Sequence, residues 1–364
     1  MNATLINQRF NQALKSKLNF AAIRFPNSDD VWFFYAAQSP RMRRLNYHKP
    51  EKPIFVCSPY MAGNMAYHFE CDAVYKNDTC VFGDLSEVPV IDDAVMGWPK
   101  GLQNNQLAQS DYTAYVNKII AAIKQDKFDK AVAARSVFIP QVTSPENWFV
   151  NAVQQYPSAE VFMFSIQGLG TWIGATPELL LEVNKNTLQT VALAGTQTYS
   201  NEHAWTEKEL EEQGMITFFI EQVLNELQFP ITQITEAETI QAGNLIHLKS
   251  SVTAKLSAEL LEKKFHKLLD KLNPTPAVCG LPQFEASLFI GENEGLERRF
   301  YAGFNGVIWP EGNISLFVNL RCAELVNQGL QAYVGAGITA LSNAEQEWNE
   351  TEGKLDTIKA VLAV

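Results

Sequence analysis

Between residues 160 and 193 the chain carries strand-like runs at 160–167, 171–175, 178–183 and 187–193, separated only by short Gly, Pro or Asn turns. Such connections are too short for a helical crossover, so neighbouring runs must pair antiparallel. Further strands are predicted at 31–37, 54–57, 130–139, 245–256, 300–309, 314–325 and 330–340 from runs of apolar, β-branched and aromatic residues. Helices are predicted over 1–18, where Ile6, Phe10, Leu14 and Leu18 recur at four-residue spacing, and from Ser110 as N-cap through Tyr112, Val116, Ile119 and Ile123. Others begin at Ser144-Pro145-Glu146, span about 203–228 and 258–272, and run from Asn343 towards the C-terminus. Strands and helices come in blocks, not in strict alternation, which predicts an α+β fold with large antiparallel sheets.

The chain has 364 residues, of which 46% are hydrophobic, enough for a sizeable core and incompatible with disorder as the main state. Its 29 basic and 40 acidic residues give a net charge of −11, and no Lys/Arg run could neutralise a phosphate backbone, so nucleic acid is not expected as a partner. No stretch reaches eighteen apolar residues, and the opening MNATLINQRF lacks a basic flank followed by an apolar core; no membrane association and a cytoplasmic location are expected. The five cysteines, Cys57, Cys71, Cys80, Cys279 and Cys322, are widely spaced and read as reduced thiols packed as small hydrophobes. The five histidines form no zinc pattern, so any metal here would be hard and held by oxygen.

On the last helix Glu347, Glu350 and Lys354 share one face, spaced i, i+3, i+7. In isolation this is a solvated face with an ion pair between Glu350 and Lys354. The preceding strand carries Gly335-Ala-Gly337, where missing side chains would let a ligand approach the backbone. A second acidic cluster, Glu207, Glu209, Glu211 and Glu212, lies on the 203–228 helix, and one inward glutamate there would complete an oxygen set of the kind Mg²⁺ prefers. Lys130 heads an apolar strand, where partial burial would favour a neutral amine able to accept a proton. Glu178 opens an apolar strand, where burial would keep its carboxyl protonated as a general acid. Arg321, mid-strand, requires a carboxylate from Glu324, another glutamate or a ligand; His247 reads as a core histidine. These residues predict a Mg²⁺-dependent site for a small carboxylate substrate and leave the reaction open.

Ten segments taken in order are more specific. KAVAAR (130–135), GATPELLLEV (174–183), ALAGT (192–196), KELEEQGMI (208–216), HLKSSVTAKL (247–256), PTPAVCGLP (274–282), YAGFNGVIW (301–309), LRCAEL (320–325), YVGAGI (333–338) and EWNETEGKL (347–355) resemble the chorismate-utilising enzymes. That family includes isochorismate synthase, salicylate synthase and the large subunit of anthranilate synthase. The resemblance runs from about residue 110 to the C-terminus. It implies a catalytic region over 106–364 and a variable N-terminal region over 1–105 that belongs to the same fold, a sandwich of large antiparallel sheets with helices outside.

Carried over by motif, the resemblance implies that Glu212 and Glu350 bind Mg²⁺, with Glu347 acting through water, and that the metal holds the ring carboxylate of chorismate. Arg321 would grip the enolpyruvyl carboxylate with the Gly335–Gly337 backbone, and Lys354 would add positive charge. Gly195 and Thr196 would line the ring and His247 would lie near its carboxylate. Lys130 stands where the water-using members have their lysine and the ammonia-using ones typically have glutamine. Ala277 stands where anthranilate and salicylate synthases usually have threonine, and PTPAV resembles isochorismate synthases. The activity implied is water addition at C2 of chorismate, activated by Lys130, with Glu178 protonating the departing C4 hydroxyl. Menaquinone and catechol siderophore synthesis are both open as destinations, and a monomer is the usual state of that subfamily. The alternatives are a salicylate-forming or aminating enzyme, and a non-catalytic carboxylate-binding protein of the same fold. Two positions depart from the family pattern: Gln213 follows Glu212 where histidine is common, and Asn273 precedes PTPAV where histidine is frequent.

Overall fold

The computed structural model describes residues 3–15, 17–88, 107–140, 144–200 and 202–362. In chain order the elements are α1 (Ala3–Lys15), β1 (Asn19–Arg24), β2 (Val31–Ala36), β3 (Arg41–Arg44), β4 (Ile54–Ser58), β5 (Met65–Glu70), β6 (Ala73–Lys76), β7 (Thr79–Gly83), α2 (Gln109–Ile123), β8 (Lys130–Pro140), α3 (Pro145–Gln155), β9 (Glu160–Ile166), β10 (Gly170–Thr176) and β11 (Leu179–Asn184). They continue with β12 (Thr187–Thr198), α4 (Glu207–Glu226), β13 (Ile231–Ile234), β14 (Glu238–Ala242), β15 (Leu245–Lys255), α5 (Ala258–Leu272), β16 (Gly280–Leu281), α6 (Gln283–Asn293), β17 (Phe304–Ile308), β18 (Ile314–Val318), β19 (Cys322–Val326), β20 (Gly329–Ile338) and α7 (Ala344–Ala360).

The strands form two ten-stranded sheets. The first has the order β16-β8-β20-β19-β10-β9-β1-β2-β6-β7, and the second β13-β15-β12-β11-β18-β17-β4-β5-β3, with β14 also paired to β15. Every pairing among the described residues is antiparallel, as the short turns require. Strands before residue 88 extend both sheets, with β1, β2, β6 and β7 in the first and β3, β4 and β5 in the second. The predicted boundary at residues 105 and 106, and the side chain of Leu14, lie outside the described residues.

The largest core cluster includes residues of both sheets, among them Phe34, Phe55, Phe164, Trp172, Leu181, Val252, Phe300 and Leu316. Helices α1, α3 and α7 cover the first sheet through a second cluster, which includes Phe10, Trp148, Phe149, Leu355 and Ile358. A third cluster, with Tyr112, Val116, Ile119, Ala286 and Ile290, seats α2 and α6 beside β8.

The chain passes between the sheets at two places that matter for the site. β10 belongs to the first sheet and β11 to the second, joined by Pro177-Glu178. β18 and β19 make the reverse passage through 319–321, so the single strand predicted over 314–325 is two strands in different sheets. Arg321 adopts φ 48°, a left-handed conformation costly for a residue with a Cβ, and it ends the extended run. The two passages are hydrogen-bonded to each other: Val318 N–H donates to Glu178 O (3.0 Å) and Ala175 N–H to Arg321 O (3.2 Å).

Other differences are local. The second helix starts at Gln109, with Ala108 and not Ser110 at its N-cap. Helix α4 starts at Glu207, where Thr206 and Glu209 form a capping box. Asn343 caps α7 as predicted, its side chain accepting from Glu345 N–H and Gln346 N–H. All five cysteines are free, and only Cys80 is exposed. No helix among the described residues is long and apolar enough to cross a membrane.

Trp172 is fully buried, stacked on Tyr333 at 5.5 Å and edge-on to Phe300 at 5.6 Å. Trp172→Ala should lower unfolding free energy by about 3–5 kcal/mol. Guanidinium denaturation checks this, and a loss under about 1 kcal/mol would contradict the packing described.

Candidate active site

The two passages between the sheets open onto a cavity whose empty space, open mouth included, is about 610 Å³. Its walls include Glu178, Gly195, Thr196, Glu212, His247, Ala277, Arg321, Gly335, Gly337, Glu350 and Lys354. Eleven of the thirteen side chains or glycines singled out in the sequence therefore meet in one cleft. The other two, Lys130 and Glu347, stand behind its wall, in contact with Glu212 and Lys208.

Glu178 is buried, with its Oε1 accepting a hydrogen bond from Thr275 Oγ1 at 2.9 Å. Burial pushes its carboxyl up to about 7, against the opposing pull of Thr275, Lys130, Lys354 and Arg321. It is therefore a carboxylic acid whose protonation changes near neutrality.

Arg321 faces the cavity with a partner the sequence did not suggest. Glu324 lies in β19 and pairs with Arg299, and no carboxylate among the described residues is within ion-pair distance of Arg321. Its NH2 instead contacts His247 Nε2 at 3.0 Å, while His247 Nδ1 lies 3.1 Å from Gly195 O and 3.1 Å from Thr196 Oγ1. A guanidinium only donates, so Nε2 must accept and the ring proton must sit on Nδ1. Burial, with Arg321 and Lys354 adding to it, holds His247 well below its ordinary value and keeps the ring neutral. The same burial lowers Arg321 to about 10. Gly195 makes this geometry possible: it has φ 64° at the irregularity between Ala194 and Thr196, where β12 shifts register against β15.

Acidic groups converge on the opposite side. Of the four clustered glutamates near the start of α4, Glu207, Glu209, Glu211 and Glu212, the last is the buried one. Its Oε1 lies 2.9 Å from Lys130 Nζ, and its Oε2 lies 4.0 Å from Lys208 Nζ. Burial alone would raise Glu212, but Lys130 and Lys208 outweigh it and hold the carboxyl below its ordinary value. On α7 the Glu350–Lys354 pair expected on a solvated face does form, at 2.6 Å, but both side chains line the cavity; Lys354 Nζ also donates to Gly335 O at 2.9 Å. Glu347 contacts Lys208 at 2.9 Å, and burial together with Glu350 raises it to about 7.

Lys130 was expected to be partly buried; it is wholly buried. Its contact with Glu212 lacks the geometry of a good hydrogen bond, and its Nζ finds no other acceptor. Gly337 makes room for the pair, since a Cβ there would stand 2.1 Å from Glu212 Oε1 and 2.9 Å from Lys130 Cε. Lys208 was not singled out in the sequence. Its position immediately after Glu207 in the acidic cluster was the available signal. Gln213 takes the place of the usual histidine as a brace, donating to Ala192 O (3.2 Å) and Ser250 Oγ (3.1 Å) and so fixing α4 on β12 and β15. Asn273 donates to Gly63 O at 2.7 Å.

The acidic side suits a hard cation. Among the described residues no three His, Cys, Asp or Glu side chains form a ready metal cage by themselves. Yet Glu212, Glu347 and Glu350 all reach the Lys208 ammonium, all offer oxygen, and Glu347 Oε2 is buried without a hydrogen-bond partner.

A family model described as chorismate binding enzyme matches residues 93–363. The chain belongs to the chorismate-binding enzymes. The isochorismate synthase EntC of Escherichia coli (strain K12) is 26% identical over 268 residues, covering 70% of this chain and 68% of that protein. Among solved structures, DhbC from Bacillus anthracis shares the fold with a TM-score of 0.80 at 20% identity, covering 99% of this chain and all of that one. Anthranilate synthase component I from Streptococcus pneumoniae TIGR4 superposes with a TM-score of 0.66 at 19% identity, covering 93% of this chain and 89% of that one. Members with different names therefore share this architecture, so the residues of the cleft must decide the reaction.

Gly337→Ala should displace the Lys130–Glu212 pair and cost about 1–3 kcal/mol of stability. Urea unfolding checks this, and an unchanged midpoint would contradict the close approach.

Proposed function

We propose that this chorismate-binding enzyme is an isochorismate synthase, an isomerase that adds water at C2 of chorismate and expels the C4 hydroxyl. The observation that carries the proposal is a carboxyl in the cleft, Glu178, raised to about 7, with a buried lysine at position 130 behind the cleft wall whose Nζ lacks a well-formed hydrogen bond. Lys130 takes the proton of the water that attacks C2. The two ring double bonds shift, and Glu178 gives its proton to the departing C4 oxygen, which leaves as water. Water enters and water leaves, so substrate and product are isomers. Lys130 ends protonated and Glu178 ionised, and proton exchange with solvent resets both.

Arg321 binds the enolpyruvyl carboxylate; that no carboxylate among the described residues lies within ion-pair distance of its guanidinium supports that role. Neutral His247 orients Arg321 without competing for the anion. Gly195, Thr196 and Ala277 line the ring; Gly335 and Gly337 expose backbone to the substrate; Lys354 adds positive charge. Glu212 and Glu350 would hold Mg²⁺ directly and Glu347 through water. When bound, the ion supplies charge neutralisation and a clamp for the ring carboxylate.

A lysine at position 130, where ammonia-using members have glutamine, favours water as nucleophile. Ala277 disfavours elimination of pyruvate. Salicylate fluorescence on incubation with chorismate and Mg²⁺, or a requirement for ammonia, would overturn the assignment. The product feeds menaquinone or catechol siderophore synthesis.

Lys130→Ala should reduce turnover by about 10²–10⁴-fold while chorismate binding, followed calorimetrically, persists. Retained turnover would contradict its role. Because Glu178 must be protonated to act, kcat/KM should fall as pH rises through about 7. Thr275→Val removes a hydrogen bond that favours the ionised form, so the alkaline limb should move to higher pH. A pH–rate profile in which that limb stays fixed or moves down would contradict the assignment of Glu178.

A further inference from the structure

The carboxylate cluster already holds a cation of its own. Lys208 Nζ lies 2.9 Å from Glu347 Oε1, 3.7 Å from Glu350 Oε2 and 4.0 Å from Glu212 Oε2. The neighbouring lysines lie against other oxygens: Lys130 Nζ is 2.9 Å from Glu212 Oε1, and Lys354 Nζ is 2.6 Å from Glu350 Oε1. Among the described residues, Lys208 alone reaches all three carboxylates. It lies in the first turn of α4 with its side chain 14% exposed, so its flexible stem has a route to solvent.

We propose that Lys208 is a tethered competitor for the divalent cation. With no ion present, its ammonium holds Glu212, Glu347 and Glu350 together against their mutual repulsion. An ion coordinated by the same oxygens would meet that ammonium at a few ångströms, so Lys208 must withdraw as the ion enters. Occupancy by a tethered group lowers apparent affinity by the fraction of molecules in which it has withdrawn. Lys208 thereby sets the Mg²⁺ concentration at which the site fills, and it keeps the apo cleft assembled. This inference rests on the cation site proposed above.

The test uses the full chain freed of metal by a chelator, with Mg²⁺ binding followed by calorimetry and thermal unfolding, for wild type, Lys208→Met, Lys208→Gln and Lys208→Arg. Lys208→Met should bind Mg²⁺ at least about tenfold more tightly. It should melt about 2–6 °C lower than wild type in chelator and show a larger rise in Tm on adding Mg²⁺. Lys208→Gln should follow it and stands in if the methionine variant does not fold. Lys208→Arg keeps the charge and should bind no tighter than wild type. Equal or weaker Mg²⁺ binding by both neutral variants would overturn the competitor role, because a lysine that organises the site for the metal predicts that result. Absence of Mg²⁺ binding in wild type and every variant would instead overturn the cation site, and this inference with it.

Discussion

The hydrogen bonds from Val318 N–H to Glu178 O and from Ala175 N–H to Arg321 O tie together two points where the chain leaves one sheet for the other. At these passages side chains beside the strand ends face a common space. Glu178 sits on one passage and Arg321 on the other. The left-handed backbone at Arg321 is held against its local cost by this lock and by the packing of β18 and β19 in separate sheets. The cleft is thus a consequence of topology, with β12, α4 and α7 closing its remaining walls.

Electrostatics then divide the cleft. On one side is a guanidinium, backed by a neutral imidazole that accepts from it, with no carboxylate within ion-pair distance among the described residues. On the other, three glutamates and three lysines interleave, so that burial is offset by pairing. A dicarboxylate substrate fits such a division, with one anionic end on the arginine and the other at the cation site. Burial raises Glu178 to about 7, whereas at Glu212 the same burial is outweighed by Lys130 and Lys208.

Much of this was legible in the sequence because period, turn length and caps are local. The close strands at 160–193, the Asn343 cap and the i, i+3, i+7 face of α7 all follow from neighbours in the chain. The shared cleft came through the ordered motifs of the family resemblance, since no local pattern says that Glu212 and Glu350 meet. What escaped was set by tertiary context. The 314–325 run reads as one apolar strand because the break at Arg321 lies in its backbone angle. Short or polar strands such as β3, β13 and β16 exist only through their partners. Lys130 lies deeper than a strand-end lysine normally would because Gly337 and Glu212 make room for it. Lys208 looked like one charge among many on an acidic helix until the fold brought α7 against it.

The central claim, that water and not ammonia or an internal group attacks the ring, is tested most directly by turnover of chorismate in oxygen-18 water with Mg²⁺ present. Attack by water yields isochorismate carrying one oxygen-18 at its C2 hydroxyl, located by mass spectrometry and carbon-13 isotope shifts. Isochorismate that retains only the substrate's own oxygen, or an aminated or aromatic product in its place, would contradict it.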